Sequence, residues 1–343
     1  MYDFVFVTHL PSFYKVNLYN EIAKKKKIYV LYIGTSSAIR TKDFCSSDMN
    51  FDFSYLYDNT FESTNKFVSF QKIMKFLQNI KYTKIILGGW DVLELWMFAF
   101  LSPKRKNYTV IESSIYESKV SGIYLFLKKV YQSRMSGVYV SGKPQKQLAE
   151  VIGYKNIIST GGVGLFNKVI FQKSTKKYEK KFLYVGRLSE EKNLFSIIDV
   201  FKKIDDASLE IVGNGPLKEQ IKKEIENSQN IMLIQHINNS EIHNKYLEND
   251  IFILPSKKEP WGLVVEEALY YGLPVIASSQ VGSKDDMIVQ FDSGKVFDIN
   301  DKNSLVEVVD FFLIEENYQK MKNNVMKIDF DQLFENQVNS YIL

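Results

Sequence analysis

Residues 257–279 read KKEPWGLVVEEALYYGLPVIASS and hold three carboxylates, Glu259, Glu266 and Glu267. They follow an all-apolar run, IFIL at 251–254, and then Pro255-Ser256, so Glu259 falls on a loop. Helix-forming residues run from about Gly262 to Tyr271; Gly272 suits the position just past a helix, and Pro274 prevents continuation. The backbone N–H groups of Gly262, Leu263 and Val264 are then the unpaired donors of a helix N-terminus. Such an end binds phosphate through direct hydrogen bonds and the positive end of the helix dipole. Glu267, four residues after Leu263, lies one turn deeper on the same face, where it can accept hydrogen bonds from both hydroxyls of a ribose. Glu259, ahead of the helix, projects to the far side of those phosphates, where a sugar would hang. Glu266 is rotated by about 100° from Glu267 and is expected in solvent. Spacing alone equally fits a wet helix face that binds nothing.

A second stretch bears on the choice. YVGRLSEEKN (184–193) follows an apolar run, with Gly186-Arg187 at its end and Lys192 five residues later. Ser189 and Asn193 offer helix-capping chemistry. Arg187 supplies a planar fork of donors and Lys192 a mobile point charge, a pairing suited to a diphosphate leaving group. The alternative is a pair of exposed basic residues.

These residues need strand ends to hold them. In the first half the apolar runs are YDFVFVT (2–8), KIYVLYI (27–33), KIIL (84–87), YTVI (108–111) and GVYV (137–140). In the second they are KFLYV (181–185), SLEIV (208–212), IMLI (231–234), IFIL (251–254) and PVIA (274–277). Short apolar strands separated by helical stretches imply parallel sheets covered on both faces. Two such series predict an α/β protein of two doubly wound, Rossmann-like domains, covering 1–165 and 166–326. Ligands in such sheets sit beyond the carboxyl ends of the strands. There the first half places His9, Gly88-Gly89-Trp90, Glu112 and Ser141-Gly142, and the second Gly186-Arg187, Gly213-Asn214-Gly215, Gln235-His236 and Pro255-Ser256. Two rims furnished in this way predict a cleft between the domains. Their join falls near 161–181, where glycines permit a hinge and lysines mark an exposed linker. No G-x-G-x-x-G dinucleotide fingerprint follows any strand.

Composition narrows the class. Of the 343 residues 45% are hydrophobic and 24% charged, which describes a core-forming globular chain. Its one cysteine, Cys45, excludes a disulfide framework and fits a reducing compartment. The histidines, His9, His236 and His243, have no metal-ligand spacing, so no metal is expected. The N-terminal MYDFVFVTHL lacks a basic leader, and the apolar LWMFAFL (95–101) is too short to span a bilayer. Charge is uneven: residues 1–175 hold 24 Lys+Arg against 12 Asp+Glu, a net of +12, and the remainder nets −8. The first half is therefore expected to meet something anionic. VSGIYLFLKKVYQSRM (120–135) mixes aromatic, aliphatic and basic residues, as a peripheral contact with anionic lipid would; a core-facing helix with a basic outer face fits as well. Nucleic acid is not expected, since no recognition motif accompanies the charge.

Taken in order, VGRLSEEKN, IVGNGPL (211–217) and LPSKKEPWGLVVEEALYYGLPVIAS (254–278) resemble the retaining glycosyltransferases of family four, which have the GT-B fold. The resemblance covers the second half and includes that family's two-glutamate motif, Glu259 and Glu267 with seven residues between. It implies that Arg187 and Lys192 hold the nucleotide diphosphate, that Glu259 contacts the donor sugar and that Glu267 binds the ribose, with Gly186 and Gly262 to Val264 lining the site. It makes UDP the expected nucleotide, with Ile237 contacting the base through its backbone. It also implies a last helix, 327–343, that returns to the first domain. The Glu-Pro-Trp-Gly variant resembles members that build bacterial surface polysaccharide, and THLPSFYKVNLYNEIAK (8–24) is similar to their opening. Two features depart from the pattern. Leu10-Pro11-Ser12 stands where many members carry a glycine-rich loop, and VIESSIYES (110–118) lacks the histidine that many carry there. Glu112 stands in that stretch but is not carried over, and His9 is the candidate substitute. Asp329-Phe330-Asp331, the one Asp-x-Asp, is expected to be solvated or capping.

The expected reaction is metal-independent and retaining, needs no cofactor beyond the nucleotide-sugar substrate, and delivers the sugar to a glycan or lipid-linked acceptor. The expected place is the cytoplasm, at the inner face of the membrane. Rival readings are an epimerase or phosphorylase on the same fold, or a sugar-nucleotide binding protein without activity.

Overall fold

Each of the ten apolar runs forms a strand, and three further strands join them. A computed structural model describes residues 1–37, 44–46, 48–62, 64–171, 177–301 and 303–342. The expected lysine-rich linker falls partly at 172–176, outside the described residues. The chain divides into two units, Met1–Asn167 with Asp331–Leu343, and Lys168–Phe330.

In the first unit the strands are β1 (Tyr2–Thr8), β2 (Ile28–Tyr32), β3 (Asp52–Tyr55), β4 (Tyr82–Leu87), β5 (Asn107–Ile111), β6 (Gly137–Val140) and β7 (Ile157–Ser159). They form one parallel sheet in the order β3-β2-β1-β4-β5-β6-β7. Crossovers run through α1 (Phe13–Ala23), α2 (Lys66–Asn79), α3 (Leu93–Leu101), α4 (Gly122–Gln132) and α5 (Lys143–Ile152). A core of Val5, Val7, Ile85, Leu87, Phe98 and Val138 is almost wholly buried between sheet and helices.

The second unit repeats the design with β8 (Lys181–Val185), β9 (Ser208–Val212), β10 (Ile231–Ile234), β11 (Ile251–Leu254), β12 (Val275–Ser278) and β13 (Gly294–Phe297). Their order is β10-β9-β8-β11-β12-β13, again parallel throughout. Its helices are α6 (Leu194–Phe201), α7 (Lys218–Glu224), α8 (His243–Glu248), α9 (Leu263–Tyr270), α10 (Ser304–Leu313) and α11 (Glu315–Val325). The last helix, α12 (Phe330–Ile342), packs into the first unit: Tyr341 stacks on Tyr139 with centroids 4.5 Å apart, and Phe334 meets Phe166 edge-on.

The three strands without an apolar signature are β3, β7 and β13, each at an end of its sheet. An edge strand is covered on fewer sides, so DFSY, IIS and GKVF can mix polar with apolar positions. Both sheets reverse strand order next to their first strand, between β1 and β4 and between β8 and β11. Helices leave toward opposite faces at such a switch point, which opens a crevice above the strand ends.

Candidate active site

The loop carrying Arg187 is built by backbone contacts between glycines. Gly186 N–H donates to Val212 O at 3.0 Å, Leu188 N–H to Asn214 O at 2.9 Å and Leu217 N–H to Leu188 O at 3.0 Å. The approach is so close that a Cβ on Gly213 would lie 1.9 Å from Gly186 O. The Gly-Asn-Gly after β9 therefore exists to seat the loop after β8. Tyr184, buried beneath it, donates its hydroxyl to Arg187 O at 3.0 Å. That leaves the Arg187 side chain exposed and, among the described residues, without a carboxylate partner. Lys192 closes a 3-10 turn, Glu190–Lys192, before α6. The expected side-chain capping is absent: Ser189 Oγ donates instead to Glu191 Oε1 at 2.6 Å, and Asn193 turns the chain at φ 56° with no side-chain cap bond. Short range decides it, since the Glu191 carboxylate competes for the hydroxyl.

The loop after β11 is tied to this one. Lys257 N–H donates to Glu191 O at 2.7 Å, and the Lys192 ammonium pairs directly with the Glu259 carboxylate. Ser256 Oγ adds a bond to Glu259 Oε2 at 3.2 Å. The Glu259 and Trp261 carbonyls accept from Gly282 and Ser283 N–H at 2.9 and 3.0 Å, which pins the loop against the chain after β12. Gly262 then takes φ 92°, a left-handed turn that aims the chain into α9. Val265 N–H is the first of α9 to be paired, to Gly262 O at 2.9 Å; the amides of Gly262, Leu263 and Val264 have no acceptor among the described residues. Lys192 and Glu259, assigned separate tasks by the sequence, thus meet as one ion pair beside the helix start, at the switch point between β8 and β11.

Glu266 is not in solvent. It is 4% exposed, and the equally buried Trp261 donates its indole N–H to Glu266 Oε1. Rotation about the helix axis does carry it off the Glu267 face, but that second face packs on protein. Burial, and to a lesser degree the charge of Glu267, push its pKa up to about 8, against the pull of the Trp261 bond. Burial likewise raises Glu267 to about 7, opposed by the Tyr246 hydroxyl, which donates to Glu267 Oε2 at 2.8 Å. Tyr246 is itself wholly buried on α8 and stacks on Tyr271 at 5.5 Å. From sequence, Trp261 enters only as part of the Glu-Pro-Trp-Gly variant, with no role of its own, and Tyr246 does not enter at all. Nothing local marks Tyr246, and Trp261 could have been found only by pairing it with Glu266 across one turn. Ile237 follows β10, half-buried, one strand further from the switch point than β9.

The first unit has its own polar cluster at its switch point. His9, just past β1, places Nε2 at 3.0 Å from both carboxylate oxygens of Asp91, which follows β4. Burial raises the Asp91 pKa, yet the His9 hydrogen bond and charge outweigh it and hold the carboxyl below its usual range. Glu112, after β5, pairs at 2.8 Å with Lys15 Nζ, which lies 8% exposed on α1 and 3.4 Å from Thr8 Oγ1. Asp329 and Asp331 are exposed at the start of α12. Among the described residues no group of three or more His, Cys, Asp or Glu side chains could hold a metal ion.

Residues 166–327 match the family described as glycosyl transferases group 1. The chain is 34% identical over 113 residues to the sulfoquinovosyl transferase SQD2 of Arabidopsis thaliana, which covers 33% of this chain and 22% of that protein. It is 31% identical over 143 residues to an uncharacterized 41.2 kDa protein in the cps region of Klebsiella pneumoniae, covering 40% and 38%. The chain thus spans less than half the length of these curated relatives. The fold matches Anabaena HepE, solved in complex with UDP and glucose, with a TM-score of 0.72, 14% identity and coverage of 100% and 99%.

Proposed function

We propose that this chain, whose residues 166–327 match the group 1 glycosyl transferases, moves a sugar from a nucleoside diphosphate, UDP in the first instance, to a hydroxyl of a glycan or lipid-linked acceptor, with retention of anomeric configuration. One observation carries the reading: the loops after β8 and β11, tied together at a switch point, pair Lys192 with Glu259 beside three free amides, and the first of these loops also carries Arg187. That collection fits a diphosphate with a sugar on each side. The relative from a cps region and the Glu-Pro-Trp-Gly variant support a place in bacterial surface polysaccharide synthesis.

In this reading the diphosphate rests on the amides of 262–264, and Glu267 holds the ribose hydroxyls. The bond from the sugar C1 to the β-phosphate oxygen breaks with its electron pair going to the phosphate. The acceptor oxygen bonds to C1 on the same face, and its proton passes to the departing phosphate. Lys192 is already balanced by Glu259, so the exposed Arg187, which makes no direct ion pair among the described residues, supplies the charge that the leaving group needs. Those cations and amides would do the work that a divalent ion does elsewhere, and no step calls for a metal or cofactor.

The experiment is a thermal-shift screen of UDP-, GDP- and ADP-sugars, followed by turnover of the best binder. UDP-sugars should raise the melting temperature in proportion to log concentration. Arg187→Ala should lower kcat about 10²-fold while leaving donor binding measurable. Unchanged turnover in that variant would refute the assignment, and epimerised donor formed without acceptor would move the chain to another reaction class.

A further inference from the structure

Helix α4 turns its apolar side to water. Ile123, Tyr124, Phe126 and Leu127 are 61%, 51%, 59% and 43% exposed, and their spacing of one, three and four residues puts them on one face. Two contacts hold the helix down: Leu125, on another side of it, packs on the core of the first unit, and at its far end Tyr131 is fully buried, its hydroxyl donating to Gly89 O at 2.7 Å. Phe100 of α3, 49% exposed, continues the apolar face beside the far end of α4, where the Arg134 guanidinium lies 5.4 Å from its ring.

A basic rim surrounds this face. Lys128 and Lys129 lie on α4 itself, which carries no acid. Lys119 sits 4.8 Å over the Tyr124 ring, and Lys128 sits 5.6 Å over Trp90. Among the described residues none of Lys119, Lys128, Lys129 and Arg134 is paired with a carboxylate. Rings and methyls in the centre with ammonium groups at the edge match the boundary of a bilayer, apolar within and anionic at its headgroups.

We infer that α4 is a membrane-docking helix, lying in the headgroup plane of an anionic lipid surface with Ile123, Tyr124, Phe126 and Leu127 inserted. Its 11 residues are too few to span a bilayer, and no helix among the described residues is long and apolar enough to do so. A second copy of the chain is the poorer occupant, because two such faces brought together would set one basic rim against the other. The inference rests on the lipid-linked side of the acceptor reading above and gives it a place, but its test needs no donor.

The test is sedimentation with vesicles of phosphatidylcholine, alone or with phosphatidylglycerol, at low and high salt, with sedimentation velocity of the free chain. The expected result is pelleting with the anionic vesicles at low salt, by a chain that is monomeric without lipid. Phe126→Glu should weaken the partition about tenfold or more, and the double variant Lys128→Glu, Lys129→Glu more than tenfold. Phe126 and Lys129 are exposed and Lys128 is half-buried, so the variants should keep their melting temperature and their response to UDP-sugar. No pelleting with anionic vesicles, equal pelleting by wild type and both variants, or a lipid-free dimer that Phe126→Glu dissociates would each overturn the inference. Loss of the UDP-sugar response in the wild type would instead sink the proposed reaction and leave the docking result standing.

Discussion

Glu266→Gln separates a charge from a hydrogen bond. A glutamine can still accept the Trp261 indole N–H, but it cannot ionise. Burial raises the carboxyl pKa from 4.5 to about 8, so the folded chain binds this proton more tightly than the unfolded one. Stability from this group is therefore fully present below the unfolded pKa and is lost as pH rises, up to the folded value. Between pH 6 and pH 9 the unfolded carboxyl is ionised throughout, while the folded one gives up its proton only near pH 8. Integrating the difference gives a loss of about 2 to 3 kcal/mol in the wild type over that interval. Glu267, raised to about 7, contributes in the same direction and less. Urea unfolding followed by circular dichroism at pH 6 and pH 9 reads the slope directly. Glu266→Gln should recover most of the loss at pH 9. Whatever burying the new amide costs appears at both pH values and drops out of the comparison. Equal pH dependence in wild type and variant would refute the reasoning, because it would mean that Glu266 is ionised or solvated in the folded chain.

Further outcomes follow from the same geometry. Gly213→Ala should destabilise by at least about 2 kcal/mol, since its methyl has only the Gly186 carbonyl to meet; a normal melting temperature would show that the two loops are not in contact. Glu112→Ala leaves the Lys15 ammonium buried without its counter-charge and should cost about 3 kcal/mol, read by denaturant midpoint at constant m. Tyr246→Phe removes the bond that favours ionised Glu267, so donor affinity should fall several-fold at pH 6 and recover toward pH 9, as measured by titration calorimetry. Glu259→Gln frees Lys192 from a charge of opposite sign; nucleoside diphosphate alone should bind at least as tightly, while turnover with the sugar donor falls about 10²-fold or more.

Much of this was legible in the chain itself. Period and apolar content located ten strands, because a strand covered on both faces has no freedom to carry polar residues. The helix start at Gly262 was also readable, since a glycine ahead of the helix formers and a Gly-Leu-Pro behind them punctuate the backbone by local sterics. Edge strands β3, β7 and β13 escaped notice because partial cover relaxes that constraint. What only the tertiary structure decided is which charges meet. Lys192 and Glu259 are 67 residues apart in sequence and share one ion pair, and His9 reaches Asp91 over 82. Glu266 and Glu267 are neighbours of one type; one is held by Trp261 on its own loop, the other by Tyr246 from a different helix. A residue's type tells what it can do, but burial and partners set its charge, and these depend on chain segments that no local pattern brings together.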